Sequence, residues 1–154
     1  FRDMRLIPFL RRPDPMPPVQ FYGQLDPAVF VLRLVPGMRA DIIPLLAPHY
    51  RALVVESFGV GGLPGGEHGE MYARLQDWCT SGRLAVFTTQ VPHEGCDLAV
   101  YEVGRSVKEL PGVLEAKDMT PEAVAVKLMW ALGQTTDRAE AMRLFTTPVE
   151  WDIV

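Results

Sequence analysis

Polar side chains able to hold a small molecule gather after three apolar runs of this chain: Ser57, then Thr88, Thr89, Gln90, Glu94 and Asp97, then Asp118. Hydroxyls, an amide and carboxylates beside open backbone amides can bind a small zwitterion such as an amino acid. The same groups serve equally well as caps and surface polars, and spacing alone leaves both readings open. Around Ser57 the stretch ALVVESFGVGGLP (52–64) carries glycines at 59, 61 and 62. They remove Cβ atoms where a strand should end, so the backbone can take positive φ and another group can come close to its amides. A plain strand-to-helix turn would use the same residues.

Other chemistries have less behind them. His93 and Cys96 stand three apart, but a structural zinc site needs four ligands and no second Cys/His pair is present. His49 and His68 fall in other segments. Cys96 beside His93 would make a nucleophile and base, yet no third, orienting group is visible. The glycines lack the spacing of a dinucleotide fingerprint, and no Gly-Lys-Ser/Thr follows to complete a P-loop. No metal and no cofactor is expected.

These groups need a frame, and the apolar pattern supplies one. Val29–Val35 and Ala52–Val55 read as strands buried on both faces, and Leu84–Thr89 as a third. Between the first two, Met38–Leu46 reads as a short helix complicated by Pro44. Between the second and third, a helix runs to about Thr80, with Met71, Leu75, Trp78 and Cys79 on one face and Gly82 as its C-terminal cap. Glu102–Leu110 reads as a further helix and Val113-Leu114 as a small fourth strand. Thr120-Pro121-Glu122 is a helix start, with a hydroxyl cap, proline first and an acid in the first turn, and Gly133 is its expected end. A last helix spans roughly Thr136–Phe145. The β-α-β-α-β alternation is that of a doubly wound sheet. The expected fold is therefore α/β, a three-layer α/β/α domain on a small open parallel sheet of about four strands, Rossmann-like or flavodoxin-like. The loops after Val55, Thr89 and Leu114 should share one edge of that sheet, where open α/β sheets bind ligands.

Residues 1–18 hold five of the fourteen prolines, and four arginines against two acids, Asp3 and Asp14. Such a stretch is extended and poor in regular structure. Residues 1–28 read as a linker arriving from something upstream, and 29–154 as the folded domain. The chain opens on Phe1 rather than Met, which reads as a fragment.

At 154 residues with 48% apolar and 22% charged composition, one domain with a real core is expected. A net charge of −4 argues against nucleic-acid binding, which relies on a basic face. Two cysteines make no disulfide framework and suit a reducing, cytoplasmic setting. No apolar run reaches the roughly 20 residues of a membrane span, and no signal-peptide pattern is present.

Four stretches, VLRLVPGM (31–38), VVESFGVGGLP (54–64), TTQVPHEGCDLAVYEVGR (88–105) and DMTPEAVAVKLMWALGQ (118–134), together resemble the C-terminal domain of the type I (cytoplasmic) L-asparaginases. The resemblance implies a two-domain, homo-oligomeric enzyme, dimer or tetramer, that hydrolyses L-asparagine to L-aspartate and ammonia without metal or cofactor. It also implies that the nucleophilic threonine sits in an N-terminal domain, in Gly-Gly-Thr and Thr-Asp motifs that this chain lacks. The domain read here would then close the neighbouring subunit's active site and be inactive alone. The residues matching the family's substrate- or effector-facing loops are Glu56, Ser57, Gly59, Gly61, Gly62, Thr89, Gln90 and Val91. Glu94 or Asp97 would approach the substrate α-amino group. Members with an allosteric asparagine pocket tend to carry arginine where Glu56 stands and cysteine where Val91 stands, and an acid there repels a carboxylate. Two other readings stay open: a related subunit of a tRNA-dependent amidotransferase, and a non-catalytic amino-acid-binding or scaffolding module.

Overall fold

A computed structural model describes residues 18–59, 61–65, 69–91, 95–100, 102–149 and 152–153. Strands β1 (Val29–Arg33), β2 (Ala52–Ser57), β3 (Leu84–Thr89) and β4 (Val113–Glu115) alternate with helices α1 (Ile42–Leu46), α2 (Glu70–Thr80) and α3 (Glu102–Lys108), and α4 (Pro121–Gln134) and α5 (Arg138–Thr146) follow. Every residue of β2 and β3 is buried, both the apolar runs Ala52–Val55 and Leu84–Phe87 and the polar ends Glu56, Ser57, Thr88 and Thr89.

The strands are all parallel and lie in the order β1-β2-β3-β4. Three right-handed crossovers stepping in one direction place their helices on one face. Accordingly Ile43 of α1, Leu75 and Trp78 of α2, and Val107 of α3 pack on Leu53, Val55, Ala85 and Phe87. The opposite face, Ala52, Val54, Leu84 and Val86, is covered by Val124, Leu128 and Ala131 of α4 with Phe145 of α5. The three layers are those expected, but the winding runs one way. The strand order does not reverse among the described residues, so topology opens no switch-point crevice, and the C-terminal edge of the sheet is a rim of loops.

Local signals explain most boundaries. Pro44 sits in the first turn of α1, where its missing N–H has no intrahelical partner to lose. The Met71, Leu75, Trp78 and Cys79 stripe is buried as its spacing requires. Gly82 takes φ +91° past the end of α2, and its N–H donates to the Cys79 carbonyl. Thr120 caps α4, its Oγ1 accepting from the Ala123 N–H at 3.3 Å.

Gly133 departs from expectation, because it lies inside α4 and does not end it. A Cβ there would fall 2.6 Å from the Gln24 carbonyl oxygen, so glycine clears room for the incoming chain. That chain is fastened to α4 and to the residue just before β2: the Asp26 N–H donates to the Met129 carbonyl, Tyr22 meets Trp130 edge to face, and Asp26 pairs with Arg51 at 2.6 Å. Residues 1–17, the bulk of the expected linker, lie outside the described residues.

Candidate functional site: the C-terminal rim of the sheet

Gln90 organises the rim. Its side-chain amide donates to the Leu34 carbonyl at 2.7 Å and the Glu56 carbonyl at 2.8 Å, and its backbone N–H donates to Ser57 O. One residue thus ties together the ends of β1, β2 and β3. Its neighbour Thr89 donates through Oγ1 to the Gly59 carbonyl and accepts from the Val91 N–H. Ser57 is fully buried and donates to the Thr88 carbonyl at 2.9 Å. Two of the three rim hydroxyls, Ser57 and Thr89, are therefore bound to backbone.

The glycine loop is closed on itself. Phe58 and Gly62 form an antiparallel bridge, and the N–H groups of Gly61 and Gly62 both donate to the Phe58 carbonyl. The two amides expected to be open at this turn point inward instead. Gly59 takes φ +50°, the left-handed turn that its lack of a Cβ permits. A Cβ on Gly61 would sit 3.0 Å from Leu98 Cδ2, so that glycine makes room for the loop after β3. In that loop exposed Asp97 accepts from the Ala99 N–H, and the Leu98 N–H donates to Glu115 Oε1. Glu94 and His93 lie outside the described residues.

A cavity of about 280 Å³ opens on the α4 side of the same edge, lined by Arg33, Glu56, Gln90, Val91, Asp118 and Glu122 among others. Arg33 and Glu56 are in register and pair at 3.1 Å. The rim is thus two places: the glycine loop with Asp97 and Leu98 on the α1–α3 side, and this cavity on the other, with Thr89 and Gln90 between them. Neighbouring Thr88 is buried, and its Oγ1 has no hydrogen-bond partner among the described residues.

Cys96 is not a poised nucleophile. It is buried, and burial, with Glu115 and Asp97 nearby, pushes its thiol up to about 12. Burial likewise pushes the Cys79 thiol up to about 11.

Residues 28–145 match the model of the glutaminase/asparaginase C-terminal domain. The chain belongs to that family. It is 37% identical over 133 residues to an L-asparaginase of Thermococcus kodakarensis, covering 86% of this chain and 40% of that protein. It is 36% identical over 140 residues to a glutamyl-tRNA(Gln) amidotransferase subunit of Metallosphaera sedula, covering 90% of this chain and 30% of that protein. The solved structure of the thermostable L-asparaginase from Thermococcus kodakarensis superposes with a TM-score of 0.77 at 36% identity, over 85% of this chain and 39% of that one. The chain thus spans about three tenths to two fifths of these relatives.

Within this asparaginase C-terminal domain, sequence reasoning missed Arg33 and Glu122 as members of the rim cavity. Arg33 carried a signal, as the one charge in the apolar run Val29–Val35, but its partner depends on which strand lies beside β1. Glu122 reaches the rim only because α4 starts there.

Proposed function

We propose that this chain is the C-terminal domain of an L-asparaginase, completing an active site whose nucleophile lies in a separate N-terminal domain. The observation that supports this reading is the state of the rim's own candidate nucleophiles. Ser57 and Thr89 donate to carbonyls, and Cys96 is a buried, protonated thiol. A rim so arranged positions and encloses a substrate but does not attack it. In the implied reaction a threonine hydroxyl adds to the side-chain amide, ammonia leaves, and water hydrolyses the acyl-enzyme. The part assigned to this domain is to exclude water and orient the amide, with Gly59, Gly61, Gly62, Gln90 and Asp97 facing the neighbouring subunit's site in a cytoplasmic dimer or tetramer.

The test is ammonia release from L-asparagine by the 154-residue chain alone, and again with a separately expressed domain carrying the Gly-Gly-Thr and Thr-Asp motifs. Activity only in the mixture supports the reading. Activity from the chain alone overturns it and returns Ser57, Thr89 and Cys96 to consideration.

A second reading rests on the likeness to the amidotransferase protein, only one percentage point of identity lower than that to the L-asparaginase. It makes this chain part of an asparaginase-like subunit supplying ammonia within a larger complex. Ammonia release from the mixture that appears only with an amidotransferase partner and Glu-tRNA(Gln) present would favour it.

A further inference from the structure

The edge of the sheet opposite the rim holds a second cavity, of about 380 Å³, whose lining includes His49, Arg51, Arg83 and Arg138 and, among the described residues, no acidic one. In a chain of net charge −4, three guanidiniums at one hollow are unexpected.

Their bonding separates them. Arg51 is neutralised by Asp26 at 2.6 Å. Arg83 donates to the Tyr50 carbonyl, the Ala47 carbonyl and Ser81 Oγ, all neutral acceptors, so its charge is held in place without being cancelled. The Ala47 carbonyl is at the C-terminal end of α1, where a cation is favourable, and this accounts for Arg83 structurally.

Arg138 has no such account. Its Nε and Nη2 are buried and without a hydrogen-bond partner among the described residues. The guanidinium lies against Gly112, where an added Cβ would overlap Nη2, Cζ and Nε. Arg138 is also the first residue of α5, at the positive end of the helix dipole, where a cation is disfavoured. The adjacent carboxylate, Asp137, is turned to its own helix and accepts from the Glu140 N–H at 2.7 Å. Burying charged donors without acceptors is costly, and an oxyanion is the group that removes the cost.

We propose that this cavity is an oxyanion site, taking the phosphate or carboxylate group of a small molecule between Arg138 and Arg83. The Nε–Nη2 edge of a guanidinium is a two-donor fork that matches either group. Arg138 already lines the cavity, and anion binding there requires its side chain to rotate so that the fork leaves Gly112 for the anion. The site is at the far edge of the sheet from the rim, so the proposal stands independently of the function assigned there.

The experiment titrates inorganic phosphate, and separately L-aspartate, into the 154-residue chain at constant ionic strength set with sodium chloride. Calorimetry reads affinity, and the backbone amide signals of Gly82 and Gly112 report the location. Saturable binding that moves those two amides is expected, weakened about tenfold or more in Arg138→Gln and less in Arg138→Lys, which keeps the charge without the fork. Stronger binding of phosphate assigns the site to phosphorylated small molecules, and stronger binding of L-aspartate assigns it to carboxylates. Melting curves without anion establish that each variant is folded, and Arg138→Lys carries the test should Arg138→Gln fail to fold. Absence of saturable binding by both anions, binding that leaves Gly82 and Gly112 unmoved, or folded Arg138 variants that bind like the parent would each overturn the proposal.

Discussion

The Arg33 guanidinium meets the Glu56 carboxylate at 3.1 Å across the last paired position of β1 and β2, beside the cavity under α4. Glu56 is therefore not a lone acid at the rim but half of an ion pair. Its side chain is 11% exposed while that of Arg33 is 63% exposed, so solvent screens the attraction. Glu56→Gln should lower stability by no more than about 1 kcal/mol. Urea denaturation checks this, and a loss several times larger would mean that Glu56 has a structural role beyond the pair.

Gln90 should be far less replaceable. Gln90→Ala removes two hydrogen bonds and deprives the Leu34 and Glu56 carbonyls of a donor at the point where three strands end. The Glu56 carbonyl retains the Leu34 N–H, so the main loss falls at Leu34 O. A destabilisation of roughly 1–3 kcal/mol is expected by chemical denaturation. Gln90→Glu should be at least as damaging, since it sets a carboxylate against two carbonyl oxygens.

Gly104→Ala tests the packing of the loop after β3. A Cβ there would lie 2.4 Å from the Leu98 carbonyl oxygen, a backbone atom that cannot step aside cheaply. The expected cost is about 1–3 kcal/mol. Gly37→Ala is the comparison: its φ is +79° but nothing lies within 4 Å of the added carbon, so only the backbone preference, about 1 kcal/mol, is lost. Melting temperatures that fall equally would show the contact at Leu98 to be unimportant.

The two buried thiols make a pH prediction. Burial raises Cys79 to about 11 and Cys96 to about 12, above the ordinary 9.0 that applies in the unfolded chain. The folded state therefore holds these protons longer. Their contribution is intact below pH 9.0 and is lost as pH rises toward the folded values of about 11 and 12. Stability should drop steeply through that window, and Cys79→Ala or Cys96→Ala should flatten the drop. At neutral pH a thiol reagent should modify neither cysteine until denaturant is added.

Much of the fold was legible because its signals are local. Apolar runs of strand length, the Met71–Cys79 stripe, the Thr120-Pro121 start and Gly82 each act within one or two turns of chain. Neighbours in sequence therefore suffice to place β1 to β4 and the long helices. The shared loop edge follows from the parallel order, and four stretches in the family's order carried the family. What only the tertiary structure decided are matters of partnership. Gln90 bonds a carbonyl 56 residues away, and Gly133 clears a path for Gln24, so nothing beside either residue announces its task. The same holds for the amides of the glycine loop, which composition suggested were open and which the Phe58–Gly62 bridge turns inward. Hydrogen-bond capacity is written in residue types, but its allocation depends on which strand ends and loops the fold brings within about 3 Å of each other. That is why the chain alone could locate the rim but not say which of its groups are already bound.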